Sequence, residues 1–177
     1  MSAEPFALPF GATVRDGGVD FRVWSPGSER VEVVLGAPGR SEVKPLVPEG
    51  GGYFVGRVEG IGAGALYRFR LDGGEAFPDP ASRYQPEGVH GPSQVVDPDG
   101  FEWGDDGWKG VELDRLVIYE LHVGTFTPRG TFDGVVERLD DLAELGVTAI
   151  ELMPVHAFAD ERRLVELGLR NYWGYNS

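Results

Sequence analysis

Two glutamates stand inside apolar runs, where a charged side chain needs a reason. Glu120 lies within Val117-Ile118-Tyr119-Glu120-Leu121-His122-Val123, and Glu151 within Val147-Thr148-Ala149-Ile150-Glu151-Leu152-Met153. Read as strands, the first run puts Val117, Tyr119, Leu121 and Val123 on one face and Ile118, Glu120 and His122 on the other. In the second run, Ile150 and Leu152 lie opposite Ala149, Glu151 and Met153. Neighbouring strands run ~4.8 Å apart, so the two carboxyls come within reach of the ~5–5.5 Å separation used by retaining glycosidases. The competing reading is structural: two buried acids, each matched by a cation from a further strand. Position favours the structural reading, because parallel barrels place active sites at C-terminal strand ends and Glu120 lies below one. Asp133, Glu137, Asp140, Asp141 and Glu144 form a second acidic set. Their helical spacing puts them on a solvated face.

The rest of the chemical inventory is small. His90, His122 and His156 are the only histidines and show no metal-ligand spacing, so no zinc or other metal site is expected. No Gly-x-Gly-x-x-Gly follows a strand, no Walker lysine is present, and no serine sits in a Gly-x-Ser-x-Gly elbow. No cofactor is expected, and no complete catalytic constellation is found. The formal net charge of −13 argues against nucleic acid and against an anionic membrane surface. A neutral, polar partner such as a sugar fits better. No apolar run approaches the ~20 residues of a membrane helix, and the first residues lack the marks of a secretory signal. The chain has no cysteine, which excludes disulfides and thiolate metal sites and suits a cytoplasmic location.

The elements that must position these residues follow from periodicity. From Val117 the order is an apolar strand-like run to Phe126, an amphipathic helix over Phe132–Leu145, and a second run over Val147–Val155. Thr131 suits the helix N-cap. Val135, Val136, Leu139, Leu142, Ala143 and Leu145 recur at helical spacing, and Gly146 stops the helix. Strand, helix, strand is the βαβ unit of a parallel sheet. One such unit leaves both strand edges unpaired, so the second half reads as the opening of something larger.

The first half reads differently. Val19, Phe21 and Val23 alternate with Asp20, Arg22 and Trp24, and Ser25-Pro26-Gly27 ends the run. Val31, Val33 and Leu35, then Tyr53–Val58, then Tyr67, Phe69 and Leu71 give three further strands. Short strands at this spacing predict an antiparallel sandwich. Phe77–Asp99 is rich in proline and glycine but also in aromatics, which predicts an ordered connection laid across the sandwich. Phe101, Trp103 and Trp108 offer either a sugar-stacking platform or packing against a neighbouring domain. Trp24 and Tyr53 are the aromatics that a sugar-binding sandwich face would use.

Val117-Ile118-Tyr119-Glu120-Leu121-His122-Val123-Gly124-Thr125-Phe126-Thr127 resembles the first barrel strand of α-amylase-superfamily glycoside hydrolases of the α-glucan-processing branch. Gly146-Val147-Thr148-Ala149-Ile150-Glu151-Leu152-Met153-Pro154-Val155 is similar to their second strand. The stretch Pro78–Ser93 is most similar to malto-oligosyltrehalose trehalohydrolases, whereas Asp160–Asn176 looks more like glycogen-debranching enzymes and isoamylases. The resemblance implies an N-terminal all-β immunoglobulin-like sandwich of the starch-binding-module type over residues 1–97 and a connector over 98–115. Over 116–177 it implies the first βαβ unit of a truncated (β/α)₈ TIM barrel. It also implies α-glucan or maltooligosyl trehalose as partner and retaining hydrolysis by the parent protein. Tyr175 matches the family's tyrosine that stacks on the sugar next to the scissile bond, and Trp173 joins it as a substrate-binding residue. Packing of the loop is the alternative role for such an aromatic. The family's nucleophile and acid/base lie on later strands, so no catalytic residue is expected in this chain and the chain alone is expected to be inactive.

Overall fold

The computed structural model describes residues 10–36, 41–156 and 158–174. The chain divides into two compact units, Met1–Glu102 and Trp103–Ser177.

In the first unit, β1 (Gly11–Arg15), β2 (Gly18–Trp24), β3 (Val31–Leu35), β4 (Glu42–Pro45) and β5 (Val47–Gly50) are followed by β6 (Tyr53–Glu59) and β7 (Leu66–Leu71). Two-residue strands β8 (Ala76–Phe77) and β9 (Ser93–Gln94) complete it. One sheet has the order β1-β2-β6-β5 and the other β4-β3-β7-β8, with β9 also paired to β7. Every pairing here is antiparallel. Successive strands β2 and β3 belong to different sheets, as do β6 and β7, which makes a sandwich. The alternation read in β2 decides its faces: Val19, Phe21 and Val23 are 0%, 1% and 5% exposed, whereas Trp24 is 58% exposed. Phe21 from one sheet meets Tyr67 and Phe69 from the other edge-on, with ring centroids 5.1 and 6.3 Å apart, the geometry that aromatic quadrupoles favour.

The periodicity misses β1, β4, β5, β8 and β9. Asp16-Gly17 carried the signal for β1: both have positive φ, 33° and 81°, and close a two-residue hairpin between Arg15 and Gly18. The proline-rich segment lies across the sandwich, as its aromatic content predicts. Gln94 N–H donates to Tyr84 O at 2.8 Å, Asp79 N–H donates to the Ser93 hydroxyl at 2.9 Å, and Arg83 donates to Ala12 O.

The second unit holds β10 (Ile118–Leu121), α1 (Val123–Phe126), α2 (Phe132–Val136), α3 (Leu139–Glu144), β11 (Ala149–Leu152) and α4 (Arg162–Glu166). β10 and β11 pair in parallel, with Glu120 opposite Glu151 in register. The expected strand–helix–strand order is present, with three differences. The first strand ends at Leu121, because the amides of Thr125 and Phe126 both donate to His122 O, at 3.1 and 2.9 Å, and coil 123–126 into a helical turn. Phe126 thereby returns to Tyr119, ring centroids 6.1 Å apart. The single helix expected over Phe132–Leu145 is broken at Glu137–Arg138. There Arg138 N–H donates three residues back, to Val135 O, and Arg138 leaves the helical region at φ −113°, ψ 4°. Gly134 and Val136 beside the break are weak helix formers. The second strand stops before Pro154, which has no amide to continue a ladder.

The predicted helix ends are observed. Thr131 Oγ1 accepts from Gly134 N–H at 3.2 Å. At the other end Val147 N–H donates to Leu142 O and Gly146 N–H to Ala143 O, both at 3.0 Å, a Schellman closure with Gly146 at φ 94°. Of the apolar helix positions only Val135 and Leu142 are buried, against Leu121. Val136 and Leu145 stay 62% and 72% exposed, and Ile118 58%, because a two-stranded unit has too few elements to cover both faces. No helix among the described residues is long and apolar enough to cross a membrane.

Candidate functional site

An open cleft of about 280 Å³ lies on the first unit, lined by residues that include Phe10, Arg22, Trp24, Tyr53, Pro80 and Ala81. Trp24 and Tyr53 face each other across the antiparallel pair of β2 and β6. Period two puts Arg22 on the same outward face. Its guanidinium carbon sits 3.9 Å from the Tyr53 ring centroid, a cation–π contact, while its Nε donates to Glu49 at 2.7 Å. Trp24 keeps its ring in solvent and turns its Nε1–H onto Gly51 O at 3.1 Å. That approach needs a glycine at 52, where a Cβ would fall 2.7 Å from Pro26 Cβ and 3.1 Å from Trp24 Nε1. The result is a mostly apolar surface with the Arg22 guanidinium beside it, whose main aromatic face is presented to water, suited to the CH-rich face of a neutral sugar ring. Arg22 and Phe10 were not legible as members. The outward alternation Arg22–Trp24 was the signal for the first.

Behind this cleft lies a buried polar corner. Tyr67 hydroxyl donates to Asp79 Oδ2 at 2.7 Å, and Ala81 N–H donates to Asp79 Oδ1 at 2.8 Å. Burial pushes the Asp79 carboxyl above the usual range, opposed by the Tyr67 hydroxyl, the Ala81 amide and the Arg83 charge. Burial, then the neighbouring Asp79 charge, pushes the Tyr67 phenol up strongly. The corner anchors Pro80 and Ala81 at the cleft wall.

The second unit has its own cleft, about 250 Å³, whose lining includes His122, Phe132, Pro154, Asp160, Asn171 and Tyr172. It lies at the C-terminal ends of β10 and β11. Asn171 N–H donates to Asp160 Oδ1 at 2.8 Å, and Trp173 N–H to Asn171 Oδ1 at 3.0 Å. Trp173, expected to meet substrate, is 62% exposed and Tyr172 45%. Tyr175, the other expected substrate-binding residue, lies outside the described residues. The acidic pair read from the runs is brought together, since Glu120 and Glu151 are opposite in register and both exposed. Leu121 is buried against the helices, so Glu120 occupies the other face, and no ion pair joins either glutamate to a cation among the described residues. Among the described residues no group of three His, Asp or Glu side chains converges as a metal ion would need.

Residues 9–96 match the family described as Carbohydrate-binding module 48 (Isoamylase N-terminal domain). Over 169 residues the chain is 42% identical to malto-oligosyltrehalose trehalohydrolase of Saccharolobus solfataricus, covering 96% of this chain and 28% of that protein. It is 33% identical over 213 aligned positions to glycogen debranching enzyme of Dickeya chrysanthemi, covering 96% of this chain and 32% of that one. The crystal structure of a candidate alpha amylase from Salmonella typhimurium is similar with a TM-score of 0.79 and 44% identity, over 89% of this chain and 26% of that one. The chain therefore spans less than a third of the length of the relatives it matches.

Proposed function

From the premise that residues 9–96 belong to the carbohydrate-binding module 48 family, we propose that the chain is the front part of a retaining α-glucan hydrolase. Its reaction is that of a malto-oligosyltrehalose trehalohydrolase, releasing trehalose from maltooligosyl trehalose. One observation carries this: the 42% identity to a trehalohydrolase runs over 169 residues and so through both units. In this reading the first unit is the glucan-binding sandwich, with Trp24 and Tyr53 as its stacking surface. The parallel β10–β11 pair opens a (β/α)₈ barrel, and Trp173 and Tyr175 are its substrate-binding residues in this chain. The hydrolytic carboxyls, one nucleophile and one acid, belong to later strands, so Glu120 and Glu151, exposed and side by side, have no hydrolytic part. The cysteine-free composition suits a cytoplasmic setting for such an enzyme.

The test is the protein as its own source makes it: intact mass, then products from maltooligosyl trehalose. A mass several-fold above 19.3 kDa with release of trehalose supports the reading, and a mass near that value counts against it. A second reading, an α-1,6-glucan debranching hydrolase, is favoured by the 33% identity to a glycogen debranching enzyme together with the character of Asp160–Asn176. Glucose chains freed from glycogen without trehalose would select it.

A further inference from the structure

Two imidazoles hold one short stretch of main chain. His122 follows directly on β10, and His156 stands four residues beyond β11. Nε2 of His122 lies 2.8 Å from Tyr172 O, and Nε2 of His156 lies 2.9 Å from Gly174 O. A carbonyl oxygen only accepts, so both Nε2 atoms carry a hydrogen. In a neutral ring Nδ1 then bears a lone pair, and Nδ1 of His122 is buried with no hydrogen-bond partner among the described residues. A glycine stands against each ring. A Cβ at Gly124 would fall 2.9 Å from His122 Cε1, and a Cβ at Gly174 would fall 3.1 Å from His156 Nε2. Tyr172 closes edge-on over His122 with ring centroids 5.4 Å apart. The amides of Asn171 and Trp173 are tied down as well, by Asp160 and by the Asn171 side chain.

We infer that His122 and His156 are positioning residues: their Nε2–H donors pin the main chain of Tyr172–Gly174 over the C-terminal ends of β10 and β11 and so aim the Trp173 side chain. The role assigned to Trp173 rests on the glucan reading above, whereas the pinning itself does not. It also gives His122 a use that its sequence context, an apolar run without a partner histidine, left open.

Nitrogen-15 histidine spectra of the 177-residue chain should show the Nε2–H tautomer at both residues; an Nδ1–H tautomer at either overturns the inference. His122→Phe keeps ring volume and removes the donor. The Trp173 amide should then exchange roughly three- to tenfold faster, the effect of one lost hydrogen bond. His122→Gln, with its own terminal donor, should restore slow exchange. The Val135 and Met153 amides, bonded to Thr131 O and Leu121 O, serve as controls. Equal Trp173 exchange in all three chains overturns the inference. Should His122→Phe loosen the controls too, the tautomers of the unaltered chain decide. Faster Trp173 exchange with unchanged maltoheptaose affinity supports the pinning and counts against the glucan role of Trp173.

Discussion

Replacing Tyr67 with phenylalanine removes one oxygen from the best-buried polar corner of the first unit. Tyr67 and Asp79 are 2% and 3% exposed, so water does not replace the lost 2.7 Å hydrogen bond. A hydrogen bond to a charged group contributes about 1.5–3 kcal/mol. For a unit of roughly this size each kcal/mol moves Tm by about 4–8 °C, so Tyr67→Phe should lower it by roughly 6–24 °C. The effect is pH-dependent. Burial holds the folded Asp79 carboxyl above its unfolded value, so the folded state binds that proton more tightly. The Asp79 contribution to stability is therefore greatest at low pH and falls as pH rises from the usual carboxylate range through the raised folded value. The Tyr67 hydroxyl favours the charged form, and its loss deepens that fall and carries it to higher pH. Asp79→Asn should abolish this dependence. Urea denaturation followed by circular dichroism from pH 3 to pH 8 reads all three chains. A Tyr67→Phe cost below about 0.5 kcal/mol at pH 7, or an equal cost at both ends of the range, refutes the reasoning.

Trp24→Ala should leave stability nearly unchanged, since the ring is 58% exposed, while weakening maltoheptaose binding by roughly 0.5–1.5 kcal/mol; an unaltered Kd by calorimetry removes the first cleft from the reading. The Arg70 guanidinium, which donates to Glu32 at 2.8 Å, chiefly holds that carboxyl below its usual range. Stability from this pair is thus present at neutral pH and lost as pH falls through the depressed folded value. Glu32→Gln should cost up to about 1 kcal/mol at pH 7 and little at pH 2, read from urea midpoints. On the proposal that the hydrolytic carboxyls belong to later strands, the chain should not cleave maltooligosaccharides. Turnover that Glu120→Gln or Glu151→Gln abolishes would show that the adjacent pair is catalytic after all. Removing either of these side-by-side like charges should instead stabilise the second unit by about 0.2–1 kcal/mol, seen as slower exchange at the Met153 amide.

By itself the sequence determined the features whose cause spans a few residues. The inward faces of β2, β3 and β7, the Thr131 cap and the Gly146 stop follow from alternation, a hydroxyl beside orphan amides and a left-handed glycine, all readable within one or two turns of chain. The parity that sets Glu120 opposite Leu121 was likewise legible, and so was the resemblance in the two long runs. Tertiary structure decided the rest, because its causes lie far apart along the chain. Arg22 meets Glu49 across 27 positions, and His122 meets Tyr172 across 50. No local pattern shows that Asp79 is buried under Tyr67, that β9 borrows an edge of β7, or that one amphipathic stretch breaks into α2 and α3. Exposure of Trp24 and Trp173 was equally undecided in the sequence, since an aromatic stacks on a core or on a ligand with the same chemistry and only the neighbours on each side settle which.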